Sequence, residues 1–228
     1  MMCGRFTLSR QDAIELATEL GVPVESLSNY RPRYNIAPTD PHWILRTKYE
    51  KREALPALWG LVNSWAKDRK RAASQINARV ETLETRAAFK EAFRRRRCLV
   101  PADGFFEWTG PKNARRPIWF HNPDGGLLFF AGLYSSWQPE PDVWERTFTI
   151  VTTDANAVVG QIHNRMPVIL AGEQAGEWMD AGETNPETLR GLLVPAADDL
   201  LIGTPVSDRA NSVKNDDPSV LEEAPMLL

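Results

Sequence analysis

The run Cys98-Leu-Val-Pro-Ala-Asp-Gly-Phe-Phe-Glu-Trp108 decides the fold class. It holds aromatic and aliphatic residues without the three-to-four spacing of a helical face, so Leu99 to Trp108 is predicted to be a strand. The same texture continues downstream, with further strands predicted at Ile118 to His121, Leu127 to Trp137, Thr147 to Thr153 and Met166 to Leu170. The segment Asn122-Pro-Asp-Gly-Gly126 predicts a hairpin turn between the second and third of these. Upstream, Ser9 and Asp12 mark a helix start. Ala13, Ile14, Ala17 and Leu20 then recur at helical spacing until Gly21 stops them. A Pro-rich loop is expected from Pro23 to Pro41, then short strands at Trp43 to Arg46 and Ala57 to Val62. Thr82 to Arg97 reads as an amphipathic helix ending in four arginines, Asp154 to Ile162 as a short helix, and Asn185-Pro186 as the start of a helix to about Leu193. Strands and helices do not alternate regularly, which argues against a doubly wound parallel sheet. The expected class is α+β: one domain built on a curved, barrel-like, mainly antiparallel sheet with flanking helices.

The 228 residues are 43% hydrophobic and 25% charged, enough for one large core and unlike a disordered chain. No apolar run approaches the ~18 residues of a membrane span, and the first twenty residues lack the charged-then-apolar pattern of a secretory signal. A location in the cytoplasm, or in the nucleus of a eukaryote, is expected. Two cysteines, Cys3 and Cys98, make neither a disulfide framework nor a metal knuckle, and His42, His121 and His163 share no ligand spacing. Neither a metal nor a cofactor is expected. The net charge is only −3, but Lys67 to Arg97 carries eleven basic residues against four acidic, a local +7, whereas the chain from Ala171 onward carries −9. Such asymmetry points to a polyanion held by a local patch, or to a solvated face.

Five segments offer chemistry. If Cys3 were the first residue of the mature chain, it would place an amine and a thiol two carbons apart. An α-amino group with a pKa of about 7.7 to 8.0 is partly neutral at pH 7 and can attack an aldehyde, after which the thiol closes a five-membered ring on the imine. Alternatively, Cys3 is an apolar residue of a first strand. Glu107 among Phe105, Phe106 and Trp108 has surroundings that penalise its charged form, as suits a general acid or base, unless it faces solvent or pairs with an arginine. His163, in Gln161-Ile-His-Asn-Arg-Met-Pro167, can relay a proton or be structural. Asn77 and Arg79 are two apart and hence on one side of an extended backbone, placed to orient a nucleophile and clamp a phosphate, or else they belong to a polar loop. Among the aromatic and proline surfaces on which a base could rest, Trp59 is better read as core and Trp65, beside Lys67, Arg69 and Lys70, as a stacking platform.

Seven segments in order resemble the SRAP (SOS-response-associated peptidase) family: Cys3 to Phe6, Tyr34 to Thr39, Trp59 to Asp68, Asn77 to Thr82, Arg97 to Trp108, Ile162 to Leu170, and Val206-Ser with Asn211 to Asn215. The resemblance implies an SRAP domain over residues 1–217, and the acidic, Pro-containing stretch 218–228 reads as a flexible tail. It implies covalent sensing of abasic sites in single-stranded DNA, with a thiazolidine crosslink shielding the lesion during the DNA damage response. In that reading Cys3 forms the crosslink, Asn77 orients it, and Glu107 and His163 move protons. Arg5, Arg79 and Arg165 hold phosphates, and Pro38 and Trp65 touch flanking bases. Glu107 is also implied in reopening the crosslink. The partner is single-stranded DNA, with no membrane and a monomeric protein. Met1 and Met2 precede Cys3, so a free amine requires initiation at Met2 or autoproteolytic trimming of the leader. Asp40 and Asn63 stand where the family pattern has a glutamine and a proline. Two other functions compete: an amino-terminal nucleophile hydrolase or peptidase, and a non-catalytic single-strand binder.

Overall fold

A computed structural model describes residues 4–224. Its strands are β1 (Phe6–Leu8), β2 (Arg33–Ile36), β3 (Pro41–Lys48), β4 (Lys51–Trp59), β5 (Asn77–Arg79), β6 (Arg97–Ala102), β7 (Gly104–Thr109), β8 (Arg116–His121), β9 (Leu128–Glu140), β10 (Val143–Asp154), β11 (Arg165–Pro167) and β12 (Ile202–Pro205). The helices are α1 (Ala13–Leu20), α2 (Ala87–Arg95), α3 (Glu173–Met179) and α4 (Pro186–Gly191). Five strands close a mixed barrel in the order β10-β4-β3-β6-β9 and back to β10; only the β10–β4 pair is parallel. Along its length β10 also takes β5 and β11 as partners. The remaining strands form an antiparallel sheet in the order β12-β8-β7-β1-β2. The expected α+β, barrel-like architecture is thus present.

The deciding run is two strands rather than one. The predicted Leu99–Trp108 strand breaks at Asp103: β6 belongs to the barrel and β7 to the second sheet. Asp103 is buried, and its carboxylate accepts from the Thr7 hydroxyl, from the Ser9 amide at 2.5 Å and from the Ser9 hydroxyl at 2.8 Å. Those bonds bind the break to the end of β1. Gly104 is required there, because a Cβ would sit 2.1 Å from Trp119 Nε1. Trp119 in turn donates to Thr7 Oγ1 at 3.1 Å.

The Asn122–Gly126 turn forms, with Gly125 N bonded to Asn122 O at 3.0 Å, but it is no hairpin: β8 and β9 lie in different sheets. Tight hairpins form instead at β3–β4, through Tyr49 and Glu50 at positive φ, and at β9–β10, through Asp142 at φ 64, and a longer loop joins the paired β7 and β8. The predicted helix over Thr82–Arg97 is confined to α2, and a 3-10 turn over Val80–Thr82 precedes it. Of the two residues that mark the start of α1, Ser9 bonds Asp103, whereas Asp12 caps the helix, and Gly21 closes it at φ 65. Between Asp154 and Ile162 there is only a 3-10 turn, Val159–Gln161. The acidic stretch read as a loose tail is packed as far as Ala224. Val220 is fully buried there, Ser207 N donates to Glu222 O at 2.8 Å, and Ala224 N donates to Pro205 O at 3.0 Å.

Candidate functional site

Two peripheral strands, β5 and β11, bring chemistry-bearing segments to the barrel. Thr152 of β10 is paired with Arg79 of β5 and also with Pro167 of β11. The Asn77–Arg79 and His163–Pro167 segments therefore flank the same stretch of β10. A buried guanidinium ties them together: Arg165 donates to both carboxylate oxygens of Glu81, to Asp154 Oδ1 at 2.7 Å and to Thr152 O at 2.7 Å. Glu81 lies in the turn that follows β5.

The amino-terminal strand joins this assembly through the core. Phe6 packs edge-on against Trp59, with ring centroids 5.0 Å apart, and Trp59 Nε1 donates at 2.9 Å to the carbonyl of Ile76, the residue before Asn77. Cys3 lies outside the described residues. Arg5 is half-buried and donates from one nitrogen to Asn35 Oδ1 at 2.8 Å and to Ala210 O at 2.9 Å, with its guanidinium 5.7 Å from the centre of the Trp108 ring. Burial pulls its pKa below the ordinary arginine value, and Asp40 partly offsets this.

Glu107 occupies β7, the strand paired with β1, and is 3% exposed. His163 is half-buried. Its Nδ1 lies 3.1 Å from the backbone N–H of Arg165 and 3.3 Å from the carbonyl of the same residue. The shorter contact requires a lone pair on Nδ1 and leaves the ring proton on Nε2. Burial lowers the His163 pKa, and the nearby Arg165 charge acts in the same direction, so the ring is neutral at pH 7.

Beside this assembly runs a basic groove. A cleft of about 780 Å³ is lined by Trp65, Lys67, Lys70 and Arg71, and a second of about 520 Å³ by Asn77, Arg79 and Thr82; Ser74 and Arg86 line both. The groove thus leads from Trp65 to Asn77. Trp65 is 69% exposed, whereas Trp59 is fully buried and belongs to the core. Arg79 is exposed and makes no ion pair among the described residues. Pro38 is half-buried on the β2–β3 loop. Its neighbour Thr39, at φ 74, lines a small cavity with Val62 and Arg69, next to the Trp65 segment.

Two of the arginines are engaged by the protein itself. The Arg165 side chain is only 8% exposed and is held by two carboxylates, so it braces the site; a phosphate would have to displace Glu81 or Asp154. Arg97, counted in the basic run, is buried, and its guanidinium bonds carbonyls at the ends of α2 and α3, including Phe93 O at 3.0 Å and Trp178 O at 2.7 Å. Asp40 is paired with Arg33 at 2.6 Å.

Sequence reasoning missed the strap formed by residues 207–217. Asn35, buried in β2, donates from Nδ2 to Ala210 O, Ser212 O and Asn215 O at 3.3, 3.0 and 2.9 Å. Asp216 accepts from the backbone N–H groups of Tyr34 and Asn35 at 2.7 and 3.0 Å and from Arg33. Asn211 Oδ1 accepts from Trp108 Nε1 at 2.7 Å. The Tyr34–Thr39 and Asn211–Asn215 motifs are two halves of one latch over Arg5 and Trp108. Their asparagines were the available signal.

The family model described as "SOS response associated peptidase (SRAP)" matches residues 2–213. The chain is 37% identical to the abasic site processing protein YoqW of Bacillus subtilis, over 97% of this chain and 99% of that one. It is 33% identical to the abasic site processing protein YedK of Escherichia coli over the same shares, and 32% identical to the abasic site processing protein HMCES of Gallus gallus over 84% of this chain and 66% of that one. A crystal structure of a Bacteroides thetaiotaomicron protein superposes with TM-score 0.85 at 24% identity, covering 98% of this chain and all of that one. A phage-related protein of Bordetella bronchiseptica superposes with TM-score 0.68 at 28% identity, covering 90% and 95%.

Proposed function

Because the chain belongs to the SRAP family, we propose that it senses abasic sites in single-stranded DNA and joins them covalently through Cys3. The observation that carries this reading is the course of the basic groove. An exposed aromatic ring and exposed cations lead to Asn77, and Asn77 is tied through Ile76, Trp59 and Phe6 to the strand that begins three residues after Cys3. A single strand fits such a surface because bases stack on exposed rings while phosphates follow the cations.

The chemistry is a condensation. With Met1 and Met2 removed, the neutral α-amine of Cys3 attacks the C1′ aldehyde of the ring-opened sugar. The carbonyl oxygen leaves as water and an imine forms; the thiol sulfur then adds to the imine carbon, and its proton passes to the nitrogen, closing the thiazolidine. His163, neutral with its proton on Nε2, serves as a donor to a sugar oxygen. Glu107, buried on β7, exchanges a proton with the amine and supports reopening of the ring. Asn77 orients the attacking residue. Arg5 and Arg79 hold phosphates, and Pro38 and Trp65 face the flanking bases.

A denaturing gel tests the reading. Abasic single-stranded oligonucleotide gives an SDS-resistant complex, intact oligonucleotide gives none, and Cys3→Ala abolishes it. An equal yield of complex from Cys3→Ala would overturn the assignment.

A further inference from the structure

A second groove, of about 430 Å³, opens where the described chain begins. Gly4 and Arg5 line it together with Trp108, Asn211, Lys112 and Arg115, and it shares no lining residue with the basic groove. Lys112 and Arg115 stand exposed on the loop between β7 and β8 and have no carboxylate partner among the described residues.

Its wall is built in advance. Asn211 Oδ1 accepts from Trp108 Nε1 at 2.7 Å while its Nδ2 donates to Arg115 O at 3.2 Å, so one side chain fixes both the ring and the basic loop. Arg5 lies near the ring and is held in place by Asn35 and Ala210. A groove with three cations and an aromatic ring is complementary to a phosphodiester strand, and acidic side chains do not line it.

We propose that this groove binds the second arm of the DNA strand. A crosslink at one sugar leaves nucleotides on both sides of the lesion. The groove from Trp65 to Asn77 takes one arm, and the groove that starts at Gly4 takes the other. The inference rests on the reading of the protein as an abasic-site binder, and it assigns Lys112 and Arg115 to phosphates and Trp108 to a base or sugar face.

The test separates the two claims. Binding is measured with oligonucleotides carrying a tetrahydrofuran abasic analogue, which has no aldehyde, at the 5′ end, the centre or the 3′ end; crosslinking is measured separately with true abasic sites. The K112A/R115A double variant should bind the central analogue with a salt slope shallower by about 1.4, from about 0.7 per lost single-strand contact. It should bind one of the two end-labelled oligonucleotides like wild type, namely the one lacking nucleotides on the side this groove holds. The K67A/R71A double variant, on the first groove, should spare the opposite end. Equal losses on all three oligonucleotides, no loss on any, or the same end spared by both double variants would overturn the inference. Absence of crosslinking by wild type would instead refute the chemistry of Cys3 while leaving the binding result to be read on its own. Circular dichroism of both double variants, whose substitutions are on exposed residues, guards against misfolding as the cause.

Discussion

Replacing Asn35 with alanine should release the strap of residues 207–217 and, with it, the anchoring of Arg5. The Asn35 side chain is 1% exposed, so water cannot replace what it bonds. Its amide nitrogen approaches three carbonyls at 2.9, 3.0 and 3.3 Å, but it has two hydrogens, so these contacts amount to two bonds with one shared. Each neutral bond contributes about 1 kcal/mol, and the charge-assisted bond from Arg5 to Oδ1 about 1.5–3 kcal/mol. The sum is roughly 4 kcal/mol, which at about 2–4 °C per kcal/mol for a chain of this size lowers Tm by roughly 8–16 °C. Differential scanning calorimetry reads the stability, and amide exchange reads its location. Residues 207–217 should lose protection first, while β3, β6 and β9 of the barrel keep theirs. A Tm within 2 °C of wild type, or exchange accelerated equally through the barrel, would show that Asn35 is not the latch.

The Glu81→Gln variant should lose about 1–2 kcal/mol near neutral pH, a modest figure because Glu81 is half-exposed and Asp154 still neutralises Arg165. The bond to Arg165 holds the Glu81 carboxyl below its ordinary pKa, so its contribution is complete above an unfolded value of about 4.3 and disappears as pH falls. Urea titrations of wild type and variant should therefore converge in acid, and a gap that widened there would refute the pairing. The three imidazoles should all titrate below 6.5 by NMR: burial lowers His42 to about 3 and lowers His121 and His163 as well. Their contribution to stability is complete above pH 6.5 and falls with acidification; an imidazole titrating above 6.5 would contradict the burial. Cys98 is fully buried, and burial pushes its thiol pKa up, so a maleimide should leave Cys98 unmodified in the native protein and reach it only after denaturation.

The legible parts of the fold were those set by local pattern. The core strands of β8, β9 and β10, the Gly21 stop of α1 and the Asn185 cap of α4 follow from spacing and cap chemistry, and the structure has them. What was not legible depends on distant partners. The break at Asp103 exists because residues almost a hundred positions earlier supply its donors. The Asn122–Gly126 turn has hairpin composition, yet its flanking strands find better partners in separate sheets. The site shows the same division. The exposure of Trp65 beside its basic neighbours and the same-side placement of Asn77 and Arg79 were readable from neighbours in sequence. The conversion of Arg165 into a brace required Glu81 and Asp154, and the latch required Asn35 to meet a segment 175 or more positions away.

The intact mass of the protein after incubation with an abasic single-stranded oligonucleotide decides whether Cys3 captures the lesion. The expected species is a polypeptide that begins at Cys3, joined to the oligonucleotide with loss of one water. A mature chain that still carries methionine ahead of Cys3, or a chain beginning at Cys3 that forms no adduct, would contradict capture by Cys3.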